Sequence, residues 1–182
     1  LAKFPFDSLL RELARRDFLT YQHSIAVAEN MKAFAEKMGF DHDQVQLSEM
    51  LGAVHDLAKL NVPEALFRKL QAGQVPTKDE REQLKSNASD LLHLLGDGSM
   101  DPVLKQSIEC MECRFDGKGL PATKGEAIPI LARMLMIVNY QDMLTRQRTG
   151  RKSLNDEQVS QVLRKNAGVL FDPTLVEVFL DG

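Results

Sequence analysis

The strongest constraint on the fold of this 182-residue chain is the spacing of its apolar residues, which recur every three or four positions almost throughout. That period keeps one face of an α-helix apolar, whereas a half-buried strand alternates every second residue. Phe6, Leu9, Leu10 and Leu13 place a first helix over 5–16. Ile25, Ala28, Met31, Ala35 and Met38 mark a second, with Thr20 as its cap and Gly39 as its stop. A third runs from about Asp43 to Lys59 and turns Val45, Leu47, Met50, Leu51 and Val54 inward. Pro63 opens a short fourth helix through Leu70. Thr77 with Glu80 forms a capping box, and the helix behind it is charged first and apolar later, from Leu84 to Leu95. Further helices follow at Asp101–Cys113, Ile128–Gln147, from Asn155 or Asp156 to Ala167, and from Pro173. The segment FDGKGLPATKG holds three Gly and one Pro in eleven residues and is an irregular loop. No segment alternates like a strand and nothing repeats at a fixed period. The expected fold is all-α, a single helical-bundle domain of eight or nine helices over residues 1–182.

Composition narrows the functional classes. A hydrophobic fraction of 43% over 182 residues supplies one sizeable core but not two. The net charge of −3 argues against DNA or RNA, whose binding needs a broad basic face, and leaves room for a local basic pocket. The most apolar stretch, AIPILARMLMIV, is interrupted by Arg133 and reads as a buried helix, so direct membrane insertion is not expected. The beginning, LAKFPFDSLLREL, has no signal-peptide pattern, and the expected location is the cytoplasm. Leu1 is not an initiator Met, so a piece of a longer protein is expected. Cys110 and Cys113 form a CxxC with neither a second ligand pair for zinc nor a βαβ context for redox work. They read as small buried or half-buried residues in a reducing compartment.

Chemistry concentrates at the end of the third helix, AVHDLAKL. Neighbouring side chains on a helix point about 100° apart, so His55 and Asp56 can both reach one ion at its end. Imidazole and carboxylate suit Fe, Mn or Zn. Lys59 follows on the same face, where an ammonium can hold a phosphate oxygen as a point charge. His23 shares an inward stripe with Val27 and Met31 and can converge on the pair. On spacing alone, a satisfied core histidine bonded to Asp56 explains these residues as well. His93, among leucines, reads as a core or boundary residue, and His42, between aspartates, as exposed.

Several blocks in order now carry a resemblance: RDFLTYQHS, AVHDLAKLNVPEALFRKL, VPTKDEREQLK, RFDGKGLP, AIPILARMLMIVNYQDMLTRQR and FDPTLVEVF. Together, from about Asp17 to Phe179, they resemble the HD-GYP branch of the HD phosphohydrolase superfamily. The resemblance implies an all-α domain, a buried centre of two or three iron or manganese ions, and hydrolysis of the bacterial messenger cyclic di-GMP. It also implies a neighbouring sensor or receiver domain, with a diguanylate cyclase among the signalling partners. Carried over by residue, it implies metal ligands at His23, His55 and Asp56, with Asn139 where the later aspartate stands in the family. It implies catalytic roles for Asp56 and Lys59, and phosphate binding by Lys59, Arg148 and Arg151.

The match is uneven. Asn87 stands at a family histidine, and the family's HHE triplet falls on Met111–Cys113 or on Cys110–Glu112, neither with a histidine. The GYP tyrosine is Leu120, while Asp142, one turn after Asn139, is kept. Glu112 is the one oxygen donor in the triplet region. The expected cofactor is therefore none or a single divalent ion. The expected function is a catalytically impaired regulatory or interaction module, with a residual phosphodiesterase acting on cyclic di-GMP or a nucleotide phosphate as the alternative.

Overall fold

The structure, a computed structural model, describes residues 5–84, 88–96, 100–146 and 153–181. The described residues form ten α-helices and no named strand. They are α1 Asp7–Arg16, α2 Phe18–Lys37, α3 His42–Val54, α4 Glu64–Gln71, α5 Lys78–Gln83, α6 Ala88–Leu95, α7 Pro102–Glu109, α8 Ile130–Thr145, α9 Asp156–Lys165 and α10 Pro173–Leu180. Two 3-10 turns, Leu57–Asn61 and Gly125–Ala127, interrupt the series.

The expected all-α fold stands, but several boundaries move for identifiable reasons. Asp17, not Thr20, caps α2: its carboxylate accepts the Thr20 amide and the Thr20 hydroxyl. The third helix stops at Val54, and a 3-10 turn carries Lys59. The helix expected through Leu95 is two, α5 and α6, on either side of residues 85–87, which lie outside the described set. Helix α7 ends at Glu109, with Cys110 as its C-cap. The Thr77–Glu80 capping box is present, each residue bonding the other's backbone amide.

Helix α2 is the central element and packs on α1, α3 and α8. Its inner face buries Val27, Ala28, Met31, Phe34 and Ala35. The approach to α3 is the tightest joint: a Cβ added at Gly52 would lie 2.7 Å from the Ala28 Cα. Ser24 and Ser48, fully buried on the same two helices, complete a seam of small residues that lets the backbones close in. On the other side of the molecule, buried Asp172 caps α10 through the amides of Thr174 and Leu175 and pairs with Arg133 of α8.

Gly52 tests the joint. Helix propensity alone favours alanine there by about 1 kcal/mol. Contact with backbone atoms that cannot step aside outweighs it, since overpacking costs about 1–3 kcal/mol. Gly52→Ala is therefore expected to lower the urea midpoint at an unchanged m-value, and a raised midpoint would refute the close-packing account.

Candidate metal centre

The buried end of the α2–α3 joint gathers His23 from α2 with His55 and Asp56, which directly follow α3. Suitable donor atoms of all three lie within 4.8 Å of one another, the only such cluster of three or more His, Cys, Asp or Glu side chains among the described residues. His55 Nε2 faces His23 Nε2 at 3.3 Å, and Asp56 Oδ2 lies 3.7 Å from each.

The outer nitrogens determine what the inner ones can do. His55 Nδ1 donates to the Gly52 carbonyl at 2.7 Å. His23 Nδ1 donates to Asp142 Oδ2 at 2.5 Å. Both acceptors lack a proton to give, so each imidazole carries a hydrogen on Nδ1 and turns its Nε2 inward, toward the other ring. A proton or a metal cation can be shared by two Nε2 atoms at their 3.3 Å separation. Backing a histidine with a carboxylate or carbonyl is the usual second layer of a metal site. Burial pushes the His55 pKa down, against the pull of Asp56, in the direction of the uncharged form that ligates metals.

Charge around Asp56 completes the cluster. Burial opposes its ionisation, but His55, Lys59 and His23 outweigh that and hold its carboxyl below the ordinary range. Lys59 Nζ donates to Asp56 Oδ2 at 2.5 Å with its side chain 25% exposed, so the ammonium stands between the buried carboxylate and solvent. Asp142 is also held low against its burial, first by His23 and then by Arg146, which donates to it and to the Gln22 carbonyl. One turn earlier on α8, Asn139 keeps its Oδ1 buried without a hydrogen-bond partner, as does Gln141 its Oε1.

The structure thus brings His23, His55, Asp56 and Lys59 together. Glu112 is exposed and does not join the trio. Met111 is half-buried against the core, Cys110 is half-buried and Cys113 buried, as expected of structural residues. His42 is exposed as expected, whereas His93 is exposed rather than at the core, because Leu91 and not His93 faces inward on α6. Asn87, Arg148 and Arg151 lie outside the described residues. Sequence reasoning noted Asp142 without a role and missed Arg146. The available signal was the lone carboxylate of α8.

Residues 7–175 match the HD domain family. The chain belongs to that family. Among curated relatives of this HD domain is the cyclic di-GMP phosphodiesterase response regulator RpfG of Xanthomonas campestris pv. campestris, 29% identical over 153 residues, covering 81% of this chain and 39% of the relative. A cyclic di-GMP phosphodiesterase of Thermotoga maritima is 26% identical over 169 residues, covering 91% of this chain and 45% of its own. The chain therefore spans less than half the length of either relative. Among solved structures, a cyclic GMP-AMP-specific phosphodiesterase of V. cholerae superposes with a TM-score of 0.70 at 16% identity, covering 96% of this chain and 46% of that one. The PgpH HD domain of L. monocytogenes, solved with cyclic-di-AMP, superposes with a TM-score of 0.61 at 16% identity, covering 96% of this chain and 92% of that one. These two likenesses concern the fold.

The tautomers are directly measurable. Long-range proton–nitrogen correlation spectra are expected to show His23 and His55 both protonated at Nδ1 when neutral. Asp142→Ala is expected to release His23 into a mixture of tautomers while His55 keeps its own, and to destabilise by about 1–3 kcal/mol through the buried donors left unpaired. An Nε2-protonated His23 in the unmodified protein would contradict the geometry.

Proposed function

We propose that this HD domain holds a single divalent ion, Fe, Mn or Zn, on His23, His55 and Asp56, with Asn139 Oδ1 as a neutral fourth donor. On this reading it serves as a regulatory or interaction module in bacterial cyclic di-GMP signalling, with impaired turnover. The observation that carries the proposal is the donor set: three converging side chains with a single carboxylate, and no second cluster among the described residues. Two divalent ions about 4 Å apart repel by about 16 kcal/mol at an effective dielectric constant of about 20, which one carboxylate does not offset. The donors suit one borderline ion and not a pair.

A bound divalent ion supplies Lewis acidity toward a phosphoryl oxygen and acidifies water. The chain's own residues do the rest. Gly52 and Asp142 orient the imidazoles. On this reading Lys59, partly exposed beside Asp56, takes a phosphate oxygen of a cyclic dinucleotide, with Arg148 and Arg151 as further phosphate partners. Residues 1–182 are read as one domain of a longer cytoplasmic signalling protein, with a diguanylate cyclase, receiver or sensor domain as partner. The names of the curated relatives support the cyclic dinucleotide class.

A second reading, residual phosphodiesterase or phosphohydrolase activity with Asp56 and Lys59 catalytic, is favoured by one specific observation: both imidazoles are set in the ligating tautomer. Cyclic di-GMP turnover by protein loaded with Fe(II) or Mn(II), assayed beside an active relative, separates the two. Loss of inner ligands is expected to cost at least the roughly hundredfold that loss of an outer-layer partner can cost. Turnover equal to the relative's would overturn the impaired reading. Slow turnover abolished by chelator and by Lys59→Ala would establish the second.

A further inference from the structure

Arg16, the last residue of α1, lies far in sequence from the HD pair yet grips the segment that follows it. Its two terminal nitrogens donate to the carbonyls of Leu60 and Val62. Its guanidinium lies over the Phe67 ring at 5.0 Å, and its Nε faces Glu64 at 3.5 Å. The side chain is only 20% exposed.

The sequence explains why this support is needed. The 3-10 turn Leu57–Asn61 carries Lys59 directly after Asp56, and its backbone bonds run from Lys59 to Asp56 and from Val62 to Lys59. A further 3-10 bond would come from the amide of residue 63 to the Leu60 carbonyl, but Pro63 has no N–H. Helix α4 begins its own bonding at the Pro63 carbonyl, so Val62 lies outside it. Two neighbouring carbonyls therefore lack backbone donors, and one planar guanidinium supplies both. A lysine, with a single nitrogen, does not reproduce that fork. The next residue, Asp17, caps α2, the helix that carries His23. The Arg16–Asp17 pair thus ties the start of the His23 helix to the turn after the HD pair.

We infer that Arg16 is a positioning residue for the metal centre: it holds the Leu57–Val62 turn, and through it Asp56 and Lys59, in register with His23. It touches neither ion nor substrate. Its effect on ion affinity rests on the single-ion reading, whereas its hold on the turn does not.

The test uses the full 182-residue chain and compares Arg16→Met, which keeps apolar cover over Phe67, with Arg16→Lys, which keeps the charge. Asp172→Ala, at the N-cap of α10 and outside both the trio and the turn, is the control for general loss of stability. Hydrogen exchange at the amides of Lys59 and Val62 and the Kd for Mn(II) are measured well below the unfolding temperature. Arg16→Met is expected to speed exchange at both amides and weaken Mn(II) binding by about tenfold, in the range of lost outer-layer partners, with little rescue by Arg16→Lys. Asp172→Ala is expected to lower the Tm and leave both readouts unchanged. Unchanged exchange and Kd in Arg16→Met would overturn the inference, as would an equal change in Asp172→Ala. If the unmodified protein takes up no Mn(II), the single-ion reading falls, and amide exchange alone decides whether Arg16 holds the turn.

Discussion

The close approach of α2 and α3 at Ala28 and Gly52 is the contact on which the site depends. Any side chain at Gly52 would push the helices apart, and the same residue supplies the carbonyl that fixes the His55 ring. Backbone packing and imidazole orientation are therefore set at a single position. His23, five residues before Ala28, and His55, three after Gly52, meet at 3.3 Å because the seam between them is made of small residues. The site is a consequence of how closely two helices can pack.

Around that joint the polar groups are graded outward. Two imidazoles and one carboxylate form the centre. Asp142 and the Gly52 carbonyl stand behind the imidazoles, with Arg146 behind Asp142 and Lys59 beside Asp56. Buried charge is expensive unless paired, and each buried carboxylate here has a cationic partner: Asp56 with Lys59, Asp142 with Arg146, Asp172 with Arg133. The last pair stabilises the fold apart from the centre. The first two shape what the centre can bind.

Much of this was legible in the sequence, and the rest was hidden for physical reasons. The three-to-four spacing gave the helices, because burial of one face leaves a periodic record. The HD pair, His23 and Lys59 were readable because chemistry-bearing residue types on one face are unusual. The break after Val54 was not, since the apolar pattern continues through the 3-10 turn that replaces the helix. Thr20 looked like a cap, but Asp17 performs the role from three residues earlier. The links from Asp142 to His23 and from Arg16 to Leu60 join residues 119 and 44 positions apart, and local periodicity carries no record of such pairs.

Metal content per chain tests the central claim most directly. Protein loaded anaerobically with Fe(II) or Mn(II) and freed of excess should retain one ion per chain, and His55→Ala or Asp56→Ala should retain none. Two ions per chain, or none in the unmodified protein, would contradict a single-ion centre built on His23, His55 and Asp56.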